Sequence, residues 1–468
     1  MANSHRTISI FRSFWNRSSP RASKGVNMSE SKKILVLGAG LVTNPLVQYL
    51  LNVPEFEVTV ATRTVSKAEA MVGDHPRGKA ISFNIEDEEA LGSLIADCDL
   101  VISLVPWIHH LTVAKLAISL KKQMVTTSYV SPEMKALDTQ ARDAGIIILN
   151  EIGLDPGIDH MSAMEVIHDV EGKGGKVTSF MSNCGGLPSP EATTTPWGYK
   201  FSWSPRGVVL AARNSARYLM DGSVVATEGK DLFGDVRHID VDGLGAYEVY
   251  PNRDSMGYQE IYGLNDTKVL FRGTIRNLGH CATWKALSDC GWFELDEVEV
   301  EGKTYRKLFA ELIKSEGDLK EDLAKFLDVG TDADLISRME WLGLLSEEII
   351  PGSKTTKLDV LADRLLVKLP YAEGELDMII LQHTFEAEYP DAAKERIVAT
   401  LVDFGQEGGD SSMARTVSLP AAIATRMILQ GEITEKGVHV PVLPGIYQPV
   451  LAELAELGIA FKETRESI

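Results

Sequence analysis

Apolar positions along the chain follow two different rhythms. From Lys32 onward, short apolar runs (KILVLGAG, FEVTVATRT, KAISFNI, DLVISLVP, QMVTTSY and GIIILNEIG) alternate with segments of helical spacing such as NPLVQYLLN. Such alternation predicts an α/β fold with a parallel, doubly wound sheet, whose ligands sit at the carboxyl ends of the strands. The middle of the chain mixes strands at KVTSFMSNCGG, DVRHIDVDG, AYEVYP and TKVLFRGTIR with a helix around GVVLAARNSARYLM. Residues 276–370 read as helical and charged, as in YRKLFAELIKSEGDLKEDLAKFL. Strands return at MIILQHTFEAEY and RIVATLVDFG, and SMARTVSLPAAIATRMILQG reads as a helix ended by Gly431. The expected organisation is a doubly wound domain over 32–155, a second α/β domain from 156–275 with 371–431, and an inserted helical domain over 276–370. The C-terminal 432–468, with its YQPVLAELAELG helix, is expected to pack back on the first domain.

Composition narrows the partners. A chain of 468 residues exceeds one compact core. Its net charge of −19 argues against nucleic acid, and no apolar run is long enough to span a bilayer. An anionic small molecule would need a local cluster of arginines. Cys98, Cys184, Cys281 and Cys290 form no CxxC pair, which points to a reducing compartment without disulfides. Residues 1–27 carry Arg6, Arg12, Arg17, Arg21 and Lys24, many serines and no acid. They read as a disordered basic extension ahead of Met28 or as an organellar transit peptide, and 1–31 stands outside the fold. The corresponding compartments are the cytoplasm and, for a transit peptide, the mitochondrion.

The first predicted strand ends in Gly38-Ala39-Gly40-Leu41-Val42-Thr43, a G-x-G-x-x turn with threonine where the dinucleotide fingerprint prefers Gly or Ala. Between a strand and a helix, this turn predicts a Rossmann site whose helix N-terminus binds a pyrophosphate. The second strand ends in Ala61-Thr62-Arg63-Thr64, where an NAD site would carry a carboxylate. Arg63 instead suits a 2′-phosphate, so the expected cofactor is NADP. By position, Asn84 and Ile85 flank the adenine, Val105 lies beside the cofactor, and Thr127-Ser128-Tyr129 end the next strand. His109 and His110 are read as loop or cap residues without a ligand role.

The stretch LNEIGLDPGIDH, residues 149–160, gathers Glu151, Asp155, Asp159 and His160 around a Pro-Gly step. The carboxylates are spaced along a turn with no Cys/His partner set, so no metal is expected there. Asp155 is placed on the nicotinamide side, while Glu151 and Asp159 read as capping or pairing residues.

The motifs NEIGLDPGIDH, CGGLPSPE, GYKFSWSPRG, YPNRDS and RGTIRNLGH resemble those of the fungal saccharopine reductases, the NADP-dependent, L-glutamate-forming saccharopine dehydrogenases. The resemblance runs from Lys32 to the C-terminus. It implies reversible reductive condensation of L-2-aminoadipate 6-semialdehyde with L-glutamate to L-saccharopine in lysine biosynthesis. Cofactor contacts implied by similarity include Leu41, Val42, Thr62, Thr64, Leu154, Asp155, Pro156 and Ser204. Substrate contacts so implied are Ser128, Tyr129, Asp155, Arg253, Thr274, Ile275 and Arg276. Arg272, Lys200 and Arg206 add nearby cations, as a substrate with three carboxylates would need. Acid/base candidates are Tyr129, Asp155 and Cys184, and no spacing decides among them. A homodimer is also expected. Two other readings stay open: a related imine-reducing enzyme such as carboxynorspermidine dehydrogenase, and a non-catalytic NADP-binding regulatory protein.

Overall fold

The computed structural model describes residues 31–203 and 205–468; the basic extension through Glu30, and Ser204, lie outside the described residues. The early apolar runs form strands β1 (Lys32–Leu37), β2 (Phe56–Thr62), β3 (Gly78–Ser82), β4 (Leu100–Ser103), β5 (Gln123–Val125) and β6 (Ile147–Leu149). All pair in parallel in the order β3-β2-β1-β4-β5-β6. Along β1, Ile34 and Val36 enter one apolar core while Leu35 and Leu37 enter another. Both faces of the sheet are therefore covered, which is why its strands read as continuous apolar runs. The winding reverses between β1 and β4, and a crevice opens at their carboxyl ends.

A second, mixed sheet is built around β7 (Lys176–Pro188). β7 runs parallel to the strand Val269–Arg276 and antiparallel to Asp377–Glu388. The buried helix Ser412–Gln430 and the helix Ile158–Gly172 join this sheet to the first through one shared core that holds Val36, Ile167, Leu381 and Ile423. Helices between His280 and Lys368 pack around Trp284, Trp292, Phe309 and Leu361 in a second core that also takes in Trp197, Tyr199, Val209 and Phe233 from the preceding segment.

Two local expectations fail. In GVVLAARNSARYLM the helix covers only Pro205–Ala211, and Ala216–Met220 is a strand that pairs with Ser223–Thr227. The turn between them, Asp221-Gly222, has positive φ at both residues (50° and 76°), the backbone that an Asp-Gly hairpin provides. The C-terminal 432–468 divides between the two sheets instead of packing on the first alone. Gly437–His439 extends the first sheet beside β6, whereas Lys462–Ser467 pairs with Lys394–Phe404 at the edge of the mixed sheet. That last strand, KETRES, has no apolar alternation because it lies on an exposed edge held by backbone pairing. The Arg465–Asp169 and Arg396–Glu466 ion pairs, at 2.7 and 3.0 Å, reinforce it.

Candidate active site

The glycine turn after β1 is shaped by its neighbour strand. Gly38 has φ 107°, and a Cβ there would lie 2.7 Å from the Leu104 carbonyl oxygen, so only glycine fits. Around Gly40 nothing lies within 4 Å of such a Cβ, which leaves open space above the turn. Thr43, at the N-cap of the helix Asn44–Leu51, makes no side-chain cap bond; its hydroxyl accepts the Gly40 N–H at 3.1 Å instead. Pro45 follows in the first helical turn. The helix thus presents first-turn N–H groups to the crevice, and these residues fit a pyrophosphate. Leu41 is exposed and Val42 half-buried beside it.

Arg63 is exposed just past the end of β2, between Thr62 and Thr64, and forms no ion pair among the described residues. Asn84 and Ile85 follow β3, and Val105 follows β4. Thr127, Ser128 and Tyr129, all half-buried, follow β5. Leu154, Asp155 and Pro156 follow β6. Every described residue assigned to the cofactor from sequence therefore lies at one edge of the sheet.

The loop 149–160 is a charged network inside the protein. Gly157 (φ 148°) lies so close to Gly153 that a Cβ would fall 2.0 Å from the Gly153 oxygen, which folds the loop back on itself. Glu151 is buried; its carboxylate accepts the Val130 N–H at 2.8 Å and pairs with His160 at 2.7 Å. His160 also meets the Tyr262 hydroxyl. Asp159 accepts the Gly157 N–H at 2.5 Å and the Arg272 guanidinium at 2.7 Å. The same Nη2 of Arg272 bonds Asp155, which also accepts the Tyr129 hydroxyl at 3.0 Å. Among the described residues no group of His, Cys, Asp and Glu is arranged to hold a metal ion.

Two carboxylates on one guanidinium separate in acidity. Burial raises the Asp155 carboxyl above the ordinary range despite Arg272, and the Asp159 charge pushes it further. Burial acts on Asp159 too, but His160, Arg272 and the Gly157 N–H outweigh it and hold that carboxyl below its usual range. Asp159 is therefore the more firmly ionised of the two, and Asp155, the more exposed, is the carboxyl more easily protonated. Burial also drives the Tyr129 hydroxyl and the Cys184 thiol well upward. Neither is a ready base, and Cys184 sits within β7 as a buried thiol.

The cations divide by partner. Arg272 and Arg276 share a face of the strand Val269–Arg276 at the period of two, with Thr274 between them and Ile275 facing the opposite core. Arg272 is engaged by Asp155 and Asp159, so it is not free for a ligand. Arg276 is buried over the rings of Tyr199 and Tyr250; its Nη1 donates to the Ile275 carbonyl oxygen, its Nε lacks a partner, and no carboxylate pairs with it among the described residues. Arg253 is exposed, at φ 56°, with its guanidinium 5.2 Å from the centre of the Tyr129 ring. Lys200 and Arg206 are held by Glu375 and Asp359 and leave the cluster.

A family model of the saccharopine dehydrogenase NADP binding domain matches residues 34–149, and one of the saccharopine dehydrogenase C-terminal domain matches residues 153–459. The chain belongs to the saccharopine dehydrogenase family. It is 40% identical to the NADP(+), L-glutamate-forming saccharopine dehydrogenase of Schizosaccharomyces pombe, covering 92% of this chain and 98% of that one. The Saccharomyces cerevisiae enzyme of the same name is 41% identical, with 92% and 99% covered. The mitochondrial alpha-aminoadipic semialdehyde synthase of Bos taurus is 38% identical over 94% of this chain but only 48% of its own length. Among solved structures, the apo saccharopine dehydrogenase (L-Glu forming) of S. cerevisiae superposes with a TM-score of 0.85 at 40% identity, covering 93% of this chain and 100% of that one. A homospermidine synthase from Legionella pneumophila shares the fold, with a TM-score of 0.54 at 11% identity, over 93% of this chain and 91% of its own.

In this member of the saccharopine dehydrogenase family, sequence reasoning missed two residues at the crevice. Arg272 was grouped with the substrate cations, although Asp155 and Asp159 claim it. His110, read as a loop or cap residue without a ligand role, has its ring between the hydroxyls of Ser103 and Ser128 at 2.8 Å each, a pairing the sequence does not show. An isolated histidine after a strand carries no spacing signal that could have marked it. Ser204 lies outside the described residues.

Proposed function

We propose that this chain catalyses the reversible, NADP-dependent condensation of L-2-aminoadipate 6-semialdehyde with L-glutamate to L-saccharopine, a step of lysine biosynthesis by the aminoadipate route. The observation that carries this reading is whole-length similarity to two yeast enzymes named for that activity, at 40% and 41% identity. Loss of water from the aldehyde and the glutamate amine gives an imine, and hydride plus a proton then gives the secondary amine. Bound NADPH supplies the hydride. The chain's own residues bind, orient and move the proton.

Gly38, Gly40, Leu41, Val42 and Thr43 cradle the pyrophosphate in this account, and Arg63, with Thr62 and Thr64, receives the 2′-phosphate. Asn84 and Ile85 flank the adenine; Val105, Thr127, Ser128, Leu154, Asp155 and Pro156 line the nicotinamide side, with Ser204 assigned there by similarity. Arg253, Arg276 and Thr274 hold substrate carboxylates, next to Ser128 and Tyr129, while Ile275, whose side chain faces the opposite core, offers only its backbone. Asp155 is the acid/base group, and the raised thiol and phenol leave Cys184 and Tyr129 as neighbours that tune it. We assign cofactor binding to 32–155, substrate and dimer contacts to 156–275 with 371–431, and a helical insert to 276–370. The homodimer would use the mixed sheet. The cytoplasm suits four unpaired cysteines, and the mitochondrion is the alternative if residues 1–27 direct import.

Arg63→Asp should raise the KM for NADP by about tenfold or more through loss of a charge-assisted contact, with NAD spared or improved. Steady-state kinetics with both cofactors test this, and equal losses would show that Arg63 does not read the phosphate. Arg276→Ala and Arg253→Ala should each raise the saccharopine KM by about tenfold or more while the dissociation constant for NADPH stays nearly constant. In the forward direction, NADPH oxidation with the semialdehyde should require glutamate and yield saccharopine by mass spectrometry. Turnover with a diamine in place of glutamate would favour the carboxynorspermidine-type reading.

A further inference from the structure

The carboxyl ends of β4 and β5 are laced together by side chains. The Thr126 hydroxyl donates to the Ser103 carbonyl oxygen at 2.9 Å and accepts the Ser128 N–H at 3.3 Å, which fixes the Ser128 backbone. What remains free is the Ser128 hydroxyl, and the imidazole of His110 lies against it. His110 is buried as the first residue of the helix His110–Leu120, with Nδ1 2.8 Å from the Ser103 Oγ and Nε2 2.8 Å from the Ser128 Oγ. Burial, and secondarily His109, pushes its pKa down to about 4, and the positive end of the helix also disfavours a cation. The ring is therefore neutral near pH 7, with one N–H and one bare nitrogen.

A neutral ring between two hydroxyls gives the chain of hydrogen bonds a direction. The Ser103 side chain is buried, and its Oγ has no other partner among the described residues. If Nδ1 carried the hydrogen, the Ser103 O–H would be left a buried donor without an acceptor, the more costly arrangement. The other tautomer has Ser103 donating to Nδ1 and Nε2–H donating to the Ser128 Oγ. Ser128 then keeps its own hydrogen for the crevice.

We propose that His110 is a positioning residue that orients the Ser128 hydroxyl as a hydrogen-bond donor to an oxygen of the bound ligand, either a substrate carboxylate or the cofactor carboxamide. The proposal rests on the reading above that Ser128 meets ligand. No proton need travel along the chain of groups, since Ser103 is a buried dead end.

A double-mutant cycle tests it. Ser128→Ala and His110→Ala should each lower kcat/KM for saccharopine by about tenfold, the size of one lost hydrogen bond. Because His110 acts through Ser128, the double variant should be no worse than either single one. His110→Gln, whose amide reaches the Nε2 position, should recover most of the loss, whereas His110→Asn, which reaches only the Nδ1 position, should not. KM values for both ligands tell which oxygen is bound. Losses that multiply to about a hundredfold in the double variant would mean two independent roles and overturn the proposal. Equal activity of the Gln and Asn variants would overturn it too. Full activity of Ser128→Ala alone would instead remove Ser128 from the ligand site, and the proposal with it.

Discussion

Replacing Arg272 by leucine should destabilise the folded chain by about 3–5 kcal/mol, the effect of breaking a buried ion pair from one side. The guanidinium is buried and a single nitrogen, Nη2, serves Asp155, Asp159 and the Tyr129 hydroxyl at 3.5 Å. Without it two carboxylates face each other out of water, with the His160 ring 3.9 Å from Asp159. The sign of the pH dependence follows. With the cation gone, the folded-state pKa values of both carboxyls rise above their unfolded values, so the folded state binds more protons. The destabilisation is then largest at neutral and alkaline pH and fades as pH falls toward the unfolded carboxylate pKa. Urea unfolding of parent and variant across that range measures it. A loss that does not change with pH would mean that packing, and not charge, is what Arg272 contributes.

Asp155→Asn should lower kcat/KM for saccharopine by about 10²–10⁴-fold, the usual range for a proton-transferring side chain. In the direction of saccharopine oxidation the carboxylate must accept a proton, so the parent rate falls as pH drops through the Asp155 pKa. Burial places that acid limb above the ordinary carboxylate range. The asparagine variant should lose the limb while keeping its affinity for NADPH. Its stability should not fall, because a neutral amide beside Asp159 relieves repulsion between two buried carboxylates. Activity and stability thus part company here, whereas they fall together in Arg272→Leu. An active Asp155→Asn enzyme with an unaltered pH profile would transfer the role to Tyr129 or Cys184.

Much of the first sheet was readable because its strands are buried on both faces and so appear as unbroken apolar runs. Gly38 is readable for a related reason, and so is the place of Arg63 at a strand end: ligands bind there in a doubly wound sheet, so the residue after each strand can be interpreted by type. The mixed sheet was harder to read. The apolar residues of Ala216–Met220 continue those of Pro205–Ala211 and so read as one helix, and only the Asp221-Gly222 turn marks the strand. Lys462–Ser467 has no inward face to show a period of two. The site was legible in kind but not in pairing. Arg272 and Arg276 look equivalent in RGTIR, and only the fold brings Asp155 and Asp159 to the first and leaves the second without a carboxylate among the described residues. His110 reaches Ser128 across adjacent strand ends, a contact invisible to any local pattern.

The central claim is that one crevice, with Arg63 at one end and Arg276 at the other, joins NADP to saccharopine. The most direct measurement follows NADPH formation by absorbance with purified protein, saccharopine and either NADP or NAD. The account predicts saccharopine-dependent reduction of NADP, release of glutamate in equal amount, and a kcat/KM at least about tenfold lower with NAD, the size of one lost charge-assisted contact. No reduction with saccharopine, or a preference for NAD, would contradict it.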